Sequence, residues 1–301
     1  MLEQDDFFKW AESFYHIGII FEGRHDVYPI CRKWVDEWYK KGYFTIEQDD
    51  LKSIFINLDK HNYDMFRGNI KNDKEWDLLK KTANEKIGYI VTKHLSEGQC
   101  DNIGFGISTY LFTWNFRRYK EYLFSHIKKQ SDFDLDKHFL ELGESLKSLK
   151  KDFDTFHWKK LYTDQFNEDA SRKLYSAVNS KLSQLGSGNN EPVGTSKVLH
   201  MMAPYYFPLI DNPIAKVVKL KEKRSYPDTD KLDINKYMIW MNFLKEFLKK
   251  YAPKSLDDFE QKMNLSILKL IDGGLYMMCT VTQSRRVNKL GFDIKSSSNK
   301  P

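Results

Sequence analysis

From Trp240 to Tyr251 the apolar residues Trp240, Phe243, Leu244, Phe247, Leu248 and Tyr251 recur at the spacing of one helical face, while Lys245, Lys249 and Lys250 fall on the others. A strand would need an alternation of period two, so this stretch can bury its rings only as a helix. The same period returns in Leu174, Val178, Leu182 and Leu185, and again in Phe259, Met263, Ile267 and Leu270. Only 8 prolines and 15 glycines punctuate 301 residues, too few for a sandwich or barrel that turns every ten residues or so. With 7 tryptophans, 17 tyrosines and 21 phenylalanines to bury, the chain has ample material for a core. The expected fold class is mainly α, a multi-helix globular protein.

The first hundred residues predict short packed helices. Phe7, Trp10, Ala11 and Phe14 share one face. Trp34, Val35, Trp38 and Tyr39 form a second cluster that ends at Gly42, and Thr45 with Gln48 forms a candidate capping box ahead of Leu51, Ile54, Phe55 and Leu58. Two helices meeting at a glycine-containing connection also fit a helix-turn-helix, but Glu47, Asp49 and Asp50 at the start of the second would repel phosphate. Packing is the reading favoured there. The glycines of 98–106 mark a candidate boundary, giving an acidic helical region 1–100 and a basic helical domain 101–301. Residues 1–100 carry 15 Lys/Arg and 18 Asp/Glu, net −3, and the remainder 33 and 24, net +9. The basic part is the one expected to face a polyanion.

Beyond the boundary, Trp114 to Tyr119 includes Arg117 and Arg118, which read as a core helix with surface arginines ahead of a nucleic-acid platform. Asp132, Asp134 and Asp136 imitate the opening of a calcium loop. Lys137 stands where that loop needs glycine and Gly143 where it needs glutamate, so calcium is rejected and the aspartates are read as a turn and cap. Ser255 with Asp258 is expected to cap a helix that stops at Gly273 and Gly274. Cys31, Cys100 and Cys279 are widely spaced and odd in number, which suits buried thiols in a reducing, intracellular setting, cytoplasmic or at the nucleoid or nucleus. No zinc spacing, apolar leader or membrane-spanning run is present, so no metal, cofactor or membrane partner is expected.

One segment, within 171–224, carries chemistry. The stripe from Leu174 to Leu185 stops at Gly186, and a loop GSGNNEPVG follows, with Gly188 and Gly194. Thr195 or Ser196 is expected to cap a helix through Lys197, Val198, Leu199, His200 and Met201, limited by Pro204. After Tyr205, Tyr206 and Phe207 the chain reaches Asp211, an acceptor suited to an N-cap, with Pro213 in the first turn and Ile214, Val217 and Val218 as the apolar face. Lys216, Lys219, Lys221, Lys223 and Arg224, opposed only by Glu222, make this the densest cationic stretch.

The run VGTSKVLHMMAPYYFPLIDNPIAKVV resembles the centre of helix-hairpin-helix DNA glycosylases, over about 35 of the 301 residues. The resemblance implies that Gly186, Gly188 and Gly194 form a hairpin holding double-stranded DNA through backbone amides. It also implies that Lys197 is a nucleophile and Asp211 the carboxylate that assists it. On that reading Thr195, Ser196, Lys216, Lys219 and Arg224 contact DNA, and Tyr205 or Tyr206 stacks on an extruded base. Base excision builds positive charge on the sugar, which a carboxylate at a helix start would stabilise, and a lysine that attacks the sugar must be neutral. The expected function is a DNA-binding protein acting as a base-excision glycosylase and lyase, a hydrolase of DNA repair. The competing reading is a helical nucleic-acid-binding or protein-interaction module without catalysis. A phosphate site for a small molecule ranks last, because the glycine loop lacks the GxxxxGK[ST] spacing and a preceding strand.

Overall fold

The computed structural model describes residues 27–59, 98–114, 135–185, 190–220, 231–251 and 256–277, together with single positions 9, 12, 13, 16, 74, 77, 78, 81 and 85. Among the described residues it holds eleven helices and one two-stranded sheet, a mainly α protein as its apolar periodicity requires. The chain divides into two compact units, one of residues 24–149 with 183–189, the other of residues 1–23, 150–182 and 190–301. The candidate boundary near residue 100 therefore falls inside the first of these. The stretch 98–106 holds a strand of the small sheet, Gln99–Cys100, and the start of the helix Ile103–Trp114.

In the unit containing 24–149, α1 (Tyr28–Lys41) buries Tyr28, Cys31, Trp34, Val35 and Trp38 along one stripe. It closes at Gly42, whose φ of +81° is the left-handed conformation glycine adopts without steric cost, and whose N–H returns to the Trp38 carbonyl at 2.8 Å. Strand β1 (Phe44–Thr45) pairs antiparallel with β2 (Gln99–Cys100), Phe44 opposite Cys100. Trp34 stacks on Phe44 with ring centres 5.1 Å apart, and Trp38 Nε1 donates to the Asp101 carbonyl at 2.9 Å. This strand lies between the two helices that suggested a helix-turn-helix.

Helix α2 (Gln48–Asp59) is capped two residues later than Thr45 and Gln48 predict. Asp50 accepts the Glu47 amide at 3.3 Å, together with Trp34 Nε1 at 3.3 Å and Lys33 Nζ at 3.2 Å. Thr45 cannot serve as the cap, because its backbone is in the sheet and its N–H is given to Glu37 at 2.8 Å. Helix α3 (Ile103–Trp114) packs on α1 and on α4 (Leu135–Ser148). Asn102 Oδ1 accepts the Gly104 amide at 2.8 Å, so Asn102 caps α3 at the point where α4 crosses it. The crossing is close enough that a Cβ on Gly104 would stand 2.1 Å from the Phe139 carbonyl.

In the other unit, α5 (Lys150–Asp154) leads through a turn to α6 (Glu168–Leu185), which buries Leu174, Val178 and Leu182 of the predicted stripe, with Tyr175 beside them. Helix α7 (Pro192–Met202) is buried almost all round, α8 (Asn212–Val217) has six residues, and α9 (Ile234–Tyr251) buries Tyr237, Trp240, Leu244 and Leu248. Asp233 Oδ1 caps α9 by accepting the Lys236 amide at 2.9 Å. The single helix expected between a cap at Ser255 and the stop at Gly273 is two, α10 (Leu256–Met263) and α11 (Ile267–Tyr276). The break occurs where Asn264 turns left-handed at φ +51° and Ser266 Oγ accepts the Lys269 amide at 3.2 Å to start a new helix. Gly273 and Gly274 lie inside α11 rather than at its end, so they stop nothing. The predictions for Phe7 to Phe14, Arg117, Arg118, Asp132, Asp134, Ser255 and Cys279 fall outside the described residues.

Candidate active site

Lys197 and Asp211 belong to two segments of the chain, each held in place by the surrounding core. Helix α7 starts at Pro192 with Glu191 as N-cap residue, four residues earlier than a cap at Thr195 allows. Thr195 is buried inside the helix, where its hydroxyl donates to the Glu191 carbonyl at 2.7 Å, and Asn179 Oδ1 accepts the Glu191 amide at 2.9 Å. Lys197 therefore projects from the second turn and not the first, and it is half-buried. The far end of α7 is tied by His200, whose Nδ1–H donates to the Phe207 carbonyl at 2.7 Å. Since a carbonyl only accepts, this contact assigns the proton of the buried imidazole to Nδ1.

The approach to Asp211 is held by α9. Tyr237 Oη donates to the Pro208 carbonyl at 2.9 Å, and Trp240 Nε1 donates to the Leu209 carbonyl at 3.0 Å. Two aromatic donors thus satisfy the carbonyls of an extended segment that has no ladder partner. Asp211 follows with extended backbone, and its Oδ1 accepts the Ile214 amide at 2.8 Å, the N-cap its sequence predicts. Helix α11 packs against α8, and its first two turns carry Lys269 and Asp272, paired at 3.3 Å.

These side chains form one electrostatic group. Burial lowers the Lys197 amine to about 8, with the Lys269 charge acting in the same direction and the carboxylates of Asp211 and Asp272 opposing it. Burial raises the Asp211 carboxyl to about 6; the Ile214 amide opposes that shift, Asp272 adds to it, and Lys197 counters it. The two shifts move in opposite directions from ordinary values of 10.5 and 3.8, so they bring an amine and an acid within reach of neutral pH. At pH 7 roughly a tenth of such an amine would be unprotonated, against well under a thousandth for an ordinary lysine. Such groups can supply an amine nucleophile and a carboxyl proton carrier near neutral pH.

The other expected site residues are not gathered here. Thr195 and Ser196 are fully buried and Gly194 is buried with them, so none of the three can touch a DNA backbone in this conformation. Tyr206 is sealed as well: its ring lies against Phe156 and Phe207, and its Oη accepts the Asn167 amide at 3.0 Å. A base cannot stack on it without unpacking that cluster. Tyr205 is partly exposed, with Lys160 Nζ 5.6 Å from its ring centre. Lys216 is half-buried on α8 and Lys219 is exposed just beyond, where its own φ of +63° marks the end of helical geometry. The long cationic helix expected through Arg224 is thus a six-residue helix among the described residues, because the chain turns left-handed at Lys219. Gly186, Gly188 and Arg224 lie outside the described residues.

Sequence reasoning missed Lys269 and Asp272. The signal was present in SILKLID, where a lysine interrupts an apolar run and an aspartate follows three residues later, the spacing of an ion pair on one helix face. It missed a second network too. Glu260, buried, accepts Lys160 Nζ at 2.9 Å, Tyr162 Oη at 3.1 Å and the Ile267 amide at 2.8 Å, and Asp257 also takes Lys160. Burial, then the two carboxylates, push the Tyr162 hydroxyl far above its usual range, so it stays protonated and donates. That network joins the 160–162 turn to α10 and to the first residue of α11, the helix that carries Lys269.

No family model matches the chain, and no curated protein or solved structure matches it either.

Proposed function

We propose that Lys197 and Asp211 are the reacting pair of a DNA base-excision enzyme with a helix-hairpin-helix glycosylase-like core, which excises a base and forms an imine with the sugar it leaves. The observation that carries this reading is that the charges of the two groups act on one another, with burial setting the amine at about 8 and the acid at about 6. The unprotonated Lys197 amine attacks C1′ of an extruded nucleotide as the bond from C1′ to the base breaks. The bonding pair leaves with the base, which takes a proton from water. Asp211, ionised above about pH 6, offsets positive charge developing on the sugar and accepts the proton that the new C1′–N bond releases. Opening of the C1′–O4′ bond then gives the imine, with O4′ taking a proton. Exposed Lys219 and half-buried Lys216 supply charge for backbone phosphates, and the partly exposed face of Tyr205 is the stacking surface in place of Tyr206.

The test is borohydride trapping on duplexes that carry an abasic site or a damaged base. The native protein is expected to give a covalent adduct, and Lys197→Gln none. Absence of an adduct across the lesion series overturns the reading.

One observation favours a second reading, a helical nucleic-acid-binding or protein-interaction module without catalysis. The Lys269–Asp272 pair adds one charge of each sign to Lys197 and Asp211, and four such charges can neutralise one another as a structural network. DNA binding that weakens with salt and is unchanged in Asp211→Asn supports this module over the enzyme.

A further inference from the structure

Between α5 and α6, residues 157–161 are pinned at both ends to the chain that leaves α7. His157 Nδ1–H donates to the Met202 carbonyl, and the Leu161 amide donates to the Tyr205 carbonyl at 2.9 Å. The three residues between these ties reach the surface. Trp158 is 68 % exposed, more than any other large apolar side chain among the described residues, and its ring meets the His157 imidazole edge-on with centres 4.4 Å apart. Tryptophan is ordinarily well buried, and the flanking Phe156 and Leu161 are, so the tied turn holds this one indole outside the core. Lys159 is partly exposed and has no ion-pair partner among the described residues. Lys160 Nζ lies 5.6 Å from the ring centre of partly exposed Tyr205, held there by Glu260 at 2.9 Å and by Asp257.

We infer that this turn is a stacking surface for an unpaired nucleic-acid strand: the Trp158 indole takes a base on its open face, and the Lys159 ammonium takes the adjoining phosphate. The inference rests on nucleic acid as the partner, but not on the chemistry of Lys197. Its surroundings distinguish a base from a protein partner. A protein interface needs a contiguous apolar centre, yet Phe156, Leu161, Tyr206 and Phe207 of the same two stretches are all buried, so the surface offers rings without an aliphatic patch. A base needs only one open ring and a cation for its phosphate. The Asp257 carboxylate offsets Lys160, which leaves Lys159 to supply that charge. Bases of a duplex are covered by their neighbours, so an aromatic face held outside the core suits a strand whose bases are free to stack on it.

Titration of the full chain with labelled oligothymidine and with a blunt duplex, read by anisotropy and by the protein's own indole emission, tests this. The native protein is expected to prefer the single strand and to lose emission as it binds. Trp158→Phe, which keeps a ring, is expected to bind nearly as well with most of that emission change gone. Trp158→Ala is expected to weaken single-strand binding roughly tenfold. Trp158→Leu, apolar but without a π face, is expected to match it. Lys159→Gln is expected to weaken binding and make it less sensitive to salt. Single-strand affinity unchanged in Trp158→Ala overturns the proposal, as does Trp158→Leu binding like the native protein. Self-association of the native chain that Trp158→Ala abolishes overturns it too, since the ring would then be a contact between copies. Single-strand binding that depends on Trp158, with no trapped adduct, would uphold this surface and refute base excision, whereas a trapped adduct with native binding by Trp158→Ala would do the reverse.

Discussion

Ser196 Oγ lies 2.9 Å from the Val193 carbonyl and 3.2 Å from the Ile210 carbonyl, and it accepts the Ile210 amide at 3.4 Å. Ser196 precedes Lys197 and Ile210 precedes Asp211, so a single buried hydroxyl joins the two segments one residue away from each of these side chains. Fourteen positions apart in sequence, the two segments are held in register by this contact.

Ser196→Ala is accordingly expected to lower stability by about 1–2 kcal/mol, because the Ile210 amide and carbonyl lose a partner inside the core. Urea denaturation reads the loss. The same variant should relax the Lys197 titration toward its ordinary value. An unchanged midpoint would show that the hydroxyl holds nothing.

Asp211 combines a capping role with a charge, and two substitutions separate them. Asp211→Ala removes the acceptor of the Ile214 amide and should cost about 1 kcal/mol, whereas Asp211→Asn keeps an acceptor of the same shape and should cost less. Both should abolish adduct formation if the carboxylate takes part in the chemistry. Full trapping by Asp211→Asn would restrict this residue to its structural role.

The pH dependence of stability has a defined sign. The native state holds the Asp211 proton more tightly than the unfolded chain does, since about 6 lies above 3.8. That contribution is complete below pH 3.8 and lost as pH rises through about 6. Lys197 behaves conversely: its value of about 8 lies below 10.5, so its contribution is complete above pH 10.5 and lost as pH falls through about 8. These two groups therefore place a trough in stability between about pH 6 and 8, where both are charged in surroundings that favour their neutral forms. Denaturation profiles should show Asp211→Asn flattening the acidic arm and Lys197→Met the alkaline arm. Profiles superimposable on the native one would refute the assignment.

In the unit of residues 24–149, three glycines offer graded outcomes. A Cβ on Gly104 would meet the Phe139 carbonyl at 2.1 Å and the Gly143 amide nitrogen at 2.6 Å, both backbone, so Gly104→Ala should cost about 1–3 kcal/mol or more by forcing α3 and α4 apart. A Cβ on Gly143 would stand 1.7 Å from Asn102 Oδ1, which must then abandon its cap, so Gly143→Ala should also destabilise. Gly106→Ala meets nothing nearer than Trp34 at 3.5 Å in a helix interior, and is expected to be neutral or to stabilise by about 0.5–1 kcal/mol. Thermal melts of the three variants should fall in that order.

Glu260 is buried with three donors aimed at it. Glu260→Ala leaves Lys160, Tyr162 and the Ile267 amide without that acceptor and should cost about 3–5 kcal/mol. Tyr162→Phe removes one neutral donor and should cost about 1 kcal/mol. A small effect of Glu260→Ala in denaturation would show that water replaces the carboxylate.

The amphipathic stripes of α6 and α9 were legible in sequence, because 3.6-residue periodicity is a local property and the burial of Leu174, Val178, Trp240 and Leu248 follows from it directly. Asp211 as an N-cap was legible for the same reason, since a cap involves only the three residues that follow it. Thr195 and Ser196 misled: both are good caps in isolation, but Pro192 is better suited to a first helical turn, and α7 begins there. Tyr206 and Tyr205 were indistinguishable in sequence, and only the packing of Phe156 and Phe207 seals one and leaves the other partly open. The charge interactions of Lys197 with Asp211, Asp272 and Lys269 were likewise beyond local pattern. They depend on where α11 restarts after Asn264 and on which face it turns toward α8, and long-range packing decides both. Helix identity is encoded by neighbours a few residues apart, whereas the electrostatics of a site come from groups as far apart in the chain as Lys197 and Asp272, so only the tertiary structure could decide them.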